Sequence, residues 1–158
     1  NAIQSQKKPV LAYVNGMCAS LGVWISSAAK EVYLSDRMDE MGSVGSYCSF
    51  LDFAGYLEKN GIKHHEIYAP QSTEKNRIYK DALAGDYTGI ENELKLHVDE
   101  FIGFVSSARG DKAAMHQEKW NSGKMFLAKD SVKIGLADGI MPFTKVITRA
   151  AFLAKQQN

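Results

Sequence analysis

The chain has 158 residues, and 19 Lys plus Arg balance 18 Asp plus Glu to a formal net charge of +1, which excludes the basic footprint of a nucleic-acid or anionic-membrane binder. Hydrophobic residues at 45% and charged residues at 23% suit one globular domain, 1–158, long enough to bury a core. Cys18 and Cys48 are too few for a disulfide framework and favour a cytoplasmic, reducing setting over secretion, while no run is apolar and long enough to span a bilayer and no signal-peptide core follows Lys7 and Lys8.

Residues 9–14 are almost continuously apolar, as a strand buried on both faces is. Asn15-Gly16 is a turn. Small residues with Val23, Trp24 and Ile25 give a compact helix over 20–29, and 31–35 read as the next strand. Strand, helix, strand at this spacing predicts a crossover between parallel strands. Residues 42–46 form a Gly-rich turn entering an extended stretch. A short helix from Phe53 to Lys59 is ended by Asn60-Gly61. A short strand is expected from His65 to Tyr68, and Ser72 or Thr73 caps a helix running to about Leu83. Thr88 and Glu91 have capping-box spacing, ahead of a long amphipathic helix whose apolar face carries Ile90, Leu94, Val98, Phe101 and Val105. Met125-Phe126, a short helix over 130–134 and a closing helix from about Lys145 to Lys155 complete an α/β layout that is helix-rich late.

Ser20 stands where strand, turn and helix meet, with the free amides of a helix N-terminus beside it to stabilise negative charge. The G-x-S-x-G pattern is not met, because Cys18 replaces its first glycine, and local sequence alone favours a plain helix cap. A nucleophilic serine needs a base. His64 and His65 diverge to opposite sides of an extended segment, His97 lies within the long helix and His116 in a polar stretch, so each reads as structural or solvated. No set of His and Cys has zinc-ligand spacing. A lysine base must be neutral, which burial in an apolar pocket achieves. Lys75 and Lys80 follow Pro70, but sequence alone does not show burial of either.

The run KPVLAYVNGMCASLGVWISSAAKEVYLS followed by MGSVGS resembles the signal peptide peptidase A family of serine peptidases, which show a K-P-V strand, a G-x-x-A-S-G-G-Y/W turn and a T-G-S-I-G turn. GIKHHEIYA, FVSSARG and WNSGKMFLAKDSVKIGLADGI resemble later family motifs in the same order, so the likeness covers nearly the whole chain. It is closest to compact single-domain forms, phage capsid-maturation relatives included. The resemblance implies a ClpP/crotonase-like spiral α/β fold with a mostly parallel sheet, and a Ser/Lys dyad. Ser20 matches the nucleophile, Lys75 the base with Lys80 second, Ser43 a serine that orients the lysine amine, and the Leu21 amide an oxyanion donor.

Two departures stand out: Leu21 and Val23 replace the family's Gly and Tyr, and no G-G pair occurs. Relatives carry an S-P-G-G loop upstream of the K-P-V strand that supplies the second oxyanion donor. The chain is therefore expected to be the back portion of a larger protein. The implied function is hydrolysis of extended peptides, such as signal-peptide remnants or phage scaffold proteins, with no metal or organic cofactor and with homo-oligomeric assembly. The alternatives are a non-catalytic interaction domain and, on the same fold, a crotonase-type acyl-CoA enzyme.

Overall fold

The computed structural model describes residues 2–156, which form two compact units. The first runs to Gly45 and resumes at Val98; the second is Ser46–His97.

The first unit holds all the strands among the described residues, in two three-stranded sheets. One has the order β1 (Leu11–Val14), β3 (Glu31–Leu34), β6 (Gly139–Ile140), parallel throughout, with Tyr13 opposite Tyr33 and Tyr33 opposite Gly139. The apolar 9–14 run thus becomes the expected strand, parallel to its neighbour beyond the helix. The other has the order β2 (Met17–Ala19), β4 (Glu40–Gly42), β5 (Met125–Leu127), with β2 parallel and β5 antiparallel to β4. Both β2 and β4 are three residues long, too short to show an alternating pattern, and the sequence reading passed over them.

α1 (Leu21–Ser27) follows β2 directly, and α7 (Ala128–Lys133) follows β5. α4 (Thr88–Arg109) belongs to the first unit from Val98 onward, and Phe101 and Val105 on its apolar face are buried. There the Trp24 ring stacks on Phe101 at 4.7 Å. Leu34, Met41, Trp120 and Leu136 are fully buried around them, each worth about 1.5–3 kcal/mol by removal from water. The Trp120 indole donates to the Ala113 carbonyl at 2.9 Å, which satisfies its one buried donor. α5 (Asp111–Ala114) and α6 (Gln117–Trp120) frame that contact, and α8 (Phe143–Lys155) closes the chain.

Two late motifs are one device. Arg109 donates to the Asp138 carboxylate at 2.7 Å, and the same carboxylate accepts the Val32 amide at 2.6 Å. The R-G end of the long helix and the A-D-G turn are thereby tied to β3, and Asp138 continues the sheet by donating its own amide to the Val32 carbonyl. Gly135 lies at φ 87°, and a Cβ there would stand 2.6 Å from the Ala113 nitrogen, so no other residue fits.

The second unit contains α2 (Ala54–Lys59), α3 (Arg77–Leu83) and the start of α4. α2 ends at Asn60-Gly61 as its sequence dictates. The expected 65–68 strand does not form: this unit offers no strand to pair with, and Ile67 is 96% exposed. The helix expected from Ser72 or Thr73 starts only at Arg77, because Asn76 adopts a left-handed conformation (φ 60°) that interrupts the preceding turns. At the start of α4 it is Asp86, not Thr88, that caps: its carboxylate accepts the Thr88 amide at 3.0 Å.

Candidate active site

Ala19 pairs with Gly42, so Ser20 and Ser43 leave two parallel strands side by side. The Ser20 amide donates to the Gly42 carbonyl at 2.9 Å, and the Ser43 amide to the Lys124 carbonyl at 2.9 Å. Both serines have positive φ, 51° at Ser20 and 57° at Ser43. With ψ at −119°, Ser20 lies outside the left-handed helical well, a conformation that costs about 1–3 kcal/mol and persists only where its surroundings impose it. The imposing contacts are those just named, together with the Ser20 carbonyl, which accepts the Val23 and Trp24 amides at 2.8 and 3.3 Å.

Ser20 occupies the cap position of α1 but makes no side-chain cap hydrogen bond. The plain cap favoured by local sequence is therefore absent, and the exposed hydroxyl is held up by a strained turn instead. The Leu21 and Gly22 amides, ahead of the first amides that reach back to Ser20, have no backbone acceptor among the described residues. The Leu21 side chain is 63% exposed and does not cover them from within the core.

Gly42 backs this corner. A Cβ there would stand 2.3 Å from the Lys124 carbonyl oxygen, so glycine alone lets β5 approach. Behind it Asp39 is 5% exposed, and its carboxylate accepts the Gly16, Ser35 and Asp36 amides at 2.7–2.9 Å and the Ser35 hydroxyl at 2.8 Å. Burial pushes this carboxyl up, but the hydrogen bonds from Asp36, Ser35 and Gly16 outweigh it and hold it below the usual carboxylate range. Asp39 thus pins the turn that feeds β2 and Ser20. Sequence reasoning missed it; an aspartate three residues before a Gly-Ser turn was the available signal.

Both candidate lysines lie in the second unit. Lys75 falls in the turn before α3, not on a helix, and is exposed. It lines a shallow cavity of about 380 Å³ with Pro70, Thr73 and Asp81. Lys80 is also exposed; its Nζ lies 3.6 Å from a Glu66 carboxylate oxygen and 3.9 Å from the Tyr68 ring centroid. The burial expected for a neutral lysine is not found at either position, and the reason is local. Ala82 is the only buried residue of the second unit, which therefore builds no dry pocket of its own. The four histidines carry no metal cluster among the described residues. No helix among those residues is long and apolar enough to cross a membrane.

The sequence profile of Peptidase family S49 matches residues 2–157. Protease 4 of Haemophilus influenzae is 27% identical over 156 residues, covering 98% of this chain and 25% of that protein. Protease 4 of Salmonella typhi is 26% identical over 158 residues and 24% of its length is covered. A relative from Methanocaldococcus jannaschii is 23% identical over 154 residues, 49% of its length. The chain thus spans about a quarter to half of these curated relatives. Among solved structures, an enoyl-CoA hydratase of Mycobacterium smegmatis superposes with a TM-score of 0.51 at 15% identity, over 97% of this chain and 42% of the other. That likeness shows the crotonase-type spiral α/β fold alone.

Proposed function

The chain belongs to Peptidase family S49, and from that premise we propose that it is the nucleophile-bearing peptidase domain of a serine endopeptidase. Ser20 attacks the peptide carbonyl, the Leu21 amide donates to the oxyanion, and Lys75 takes the serine proton and returns it to the leaving amine. Ser43 orients the lysine. Substrates are extended peptides, signal-peptide remnants or phage scaffold proteins being the classes the family resemblance suggests. The observation that carries the reading is Ser20 itself: strained, exposed, at a helix start, with its hydroxyl withheld from the cap and an unpaired amide next to it.

The base must be shielded when it acts. A homo-oligomer supplies the shield in this reading, supported by the second unit's wide apolar exposure: Tyr47, Leu51, Phe53 and Tyr56 are each more than half exposed. A second reading, a non-catalytic interaction domain, draws on the exposure of both lysines. Hydrolysis of a fluorogenic peptide library by the full polypeptide that carries this chain separates the two. Cleavage lost in Ser20→Ala and in Lys75→Ala supports the dyad; cleavage that survives Ser20→Ala rejects it, and no cleavage by the parent selects the interaction domain.

A further inference from the structure

Gly22 is a glycine without a backbone reason. It sits inside the first turn of α1, and its φ is not positive. Alanine in that place is the better helix former. What it does allow is proximity: a Cβ at position 22 would stand 3.3 Å from the Cys18 sulfur, and no other heavy atom outside its own helix turn comes within 4 Å.

Cys18 cannot easily give way. It is 9% exposed, belongs to the apolar core, and is paired in β2 opposite Met41. Its Sγ lies 3.5 Å from the Ser26 hydroxyl, which in turn donates to the Val23 carbonyl at 3.2 Å. Burial pushes the thiol pKa up, so the group stays a protonated thiol able to hydrogen-bond Ser26. One sulfur atom therefore stands where a side chain on the second residue of α1 would crowd it and, through Ser26, reaches the turn above. The strand and the helix that it joins are the two elements flanking Ser20.

We infer that Cys18 and Gly22 form a positioning contact, in which the thiol seated against a bare Cα sets how closely α1 lies on β2 and so fixes the Ser20 hydroxyl and the Leu21 amide relative to one another. The contact touches no substrate. It rests on the serine-peptidase reading for its consequence but not for its existence.

The test is a double-mutant cycle in the full polypeptide, read two ways: the rate of Ser20 labelling by a fluorophosphonate, and the melting temperature. Gly22→Ala is expected to slow labelling about ten-fold, since displacements well under 1 Å at a reacting pair cost less than the hundred-fold typical of 1 Å. Cys18→Ala/Gly22→Ala recovers most of that loss, because the added methyl takes the space the sulfur leaves. A folded Gly22→Ala protein that labels at the parent rate overturns the inference, as does a double mutant as slow as Gly22→Ala. Should Gly22→Ala alone fail to fold, the double mutant must fold and label like Cys18→Ala; if it fails as well, the contact is refuted. A parent that does not label rejects the peptidase reading separately, and the melting temperatures then still decide whether the two positions are coupled.

Discussion

Ser20 carries two costs that a merely structural serine would avoid: a backbone conformation unfavourable to any side chain and a cap position whose hydroxyl does not cap. Replacing it tests both. Ser20→Gly is expected to raise stability by about 1 kcal/mol through release of the strain, measured as a higher urea midpoint, while abolishing covalent labelling; a destabilised Ser20→Gly protein would contradict the strain. Lys75 and Lys80 differ in their ties. Lys80 is held between Glu66 and the Tyr68 ring, whereas Lys75, in the turn before α3, has no such side-chain partner among the described residues. Lys75→Ala is expected to lower kcat by about 10²–10⁴-fold, the range of a lost general base, with Lys80→Ala costing far less; the reverse order would move the base to Lys80. Ser20 was singled out in the sequence by the family resemblance of the run around it, not by its own turn, which reads as a plain cap; the strained, non-capping geometry was not legible there. The exposure of Lys75 and Lys80 was not legible either, because burial is a property of what surrounds a residue and not of its own segment.

At the scale of elements, the apolar strands, α1 and the long helix followed from pattern, since each buries a face large enough to leave a period. β2 and β4 did not, being three-residue strands beside turns, yet these two bring Ser20 and Ser43 together. The 65–68 strand failed for the complementary reason: its composition suits a strand, but nothing pairs with it. Asp39 holds the β2 entry, and its pKa is lowered in the fold. A lowered carboxyl contributes stability above its unfolded value, about 3.9, and loses it as pH falls from there through the folded value. Asp39→Asn is therefore expected to cost about 1–3 kcal/mol at pH 7 and to flatten the acid limb of the stability profile; urea melts across the acid range check both. An unchanged acid limb would remove Asp39 from this role.

For the whole molecule, the contrast between the two units matters most. The first buries a continuous core from Val14 to Ala137, while the second buries only Ala82 and presents Leu51, Phe53, Ile62 and Tyr79 around an open cavity of about 550 Å³. Self-association through the second unit is expected to appear as a mass above the monomer in light scattering, and Leu51→Asp with Phe53→Asp to reduce it; a parent that stays monomeric at high concentration would remove the oligomer as the source of shielding. The central claim, that Ser20 is a nucleophile, is tested most directly by intact-mass and peptide mapping of the full polypeptide after fluorophosphonate treatment. The account predicts one adduct per chain, located on Ser20 and absent from Ser20→Ala. An unmodified protein, or an adduct that persists in Ser20→Ala, would contradict it.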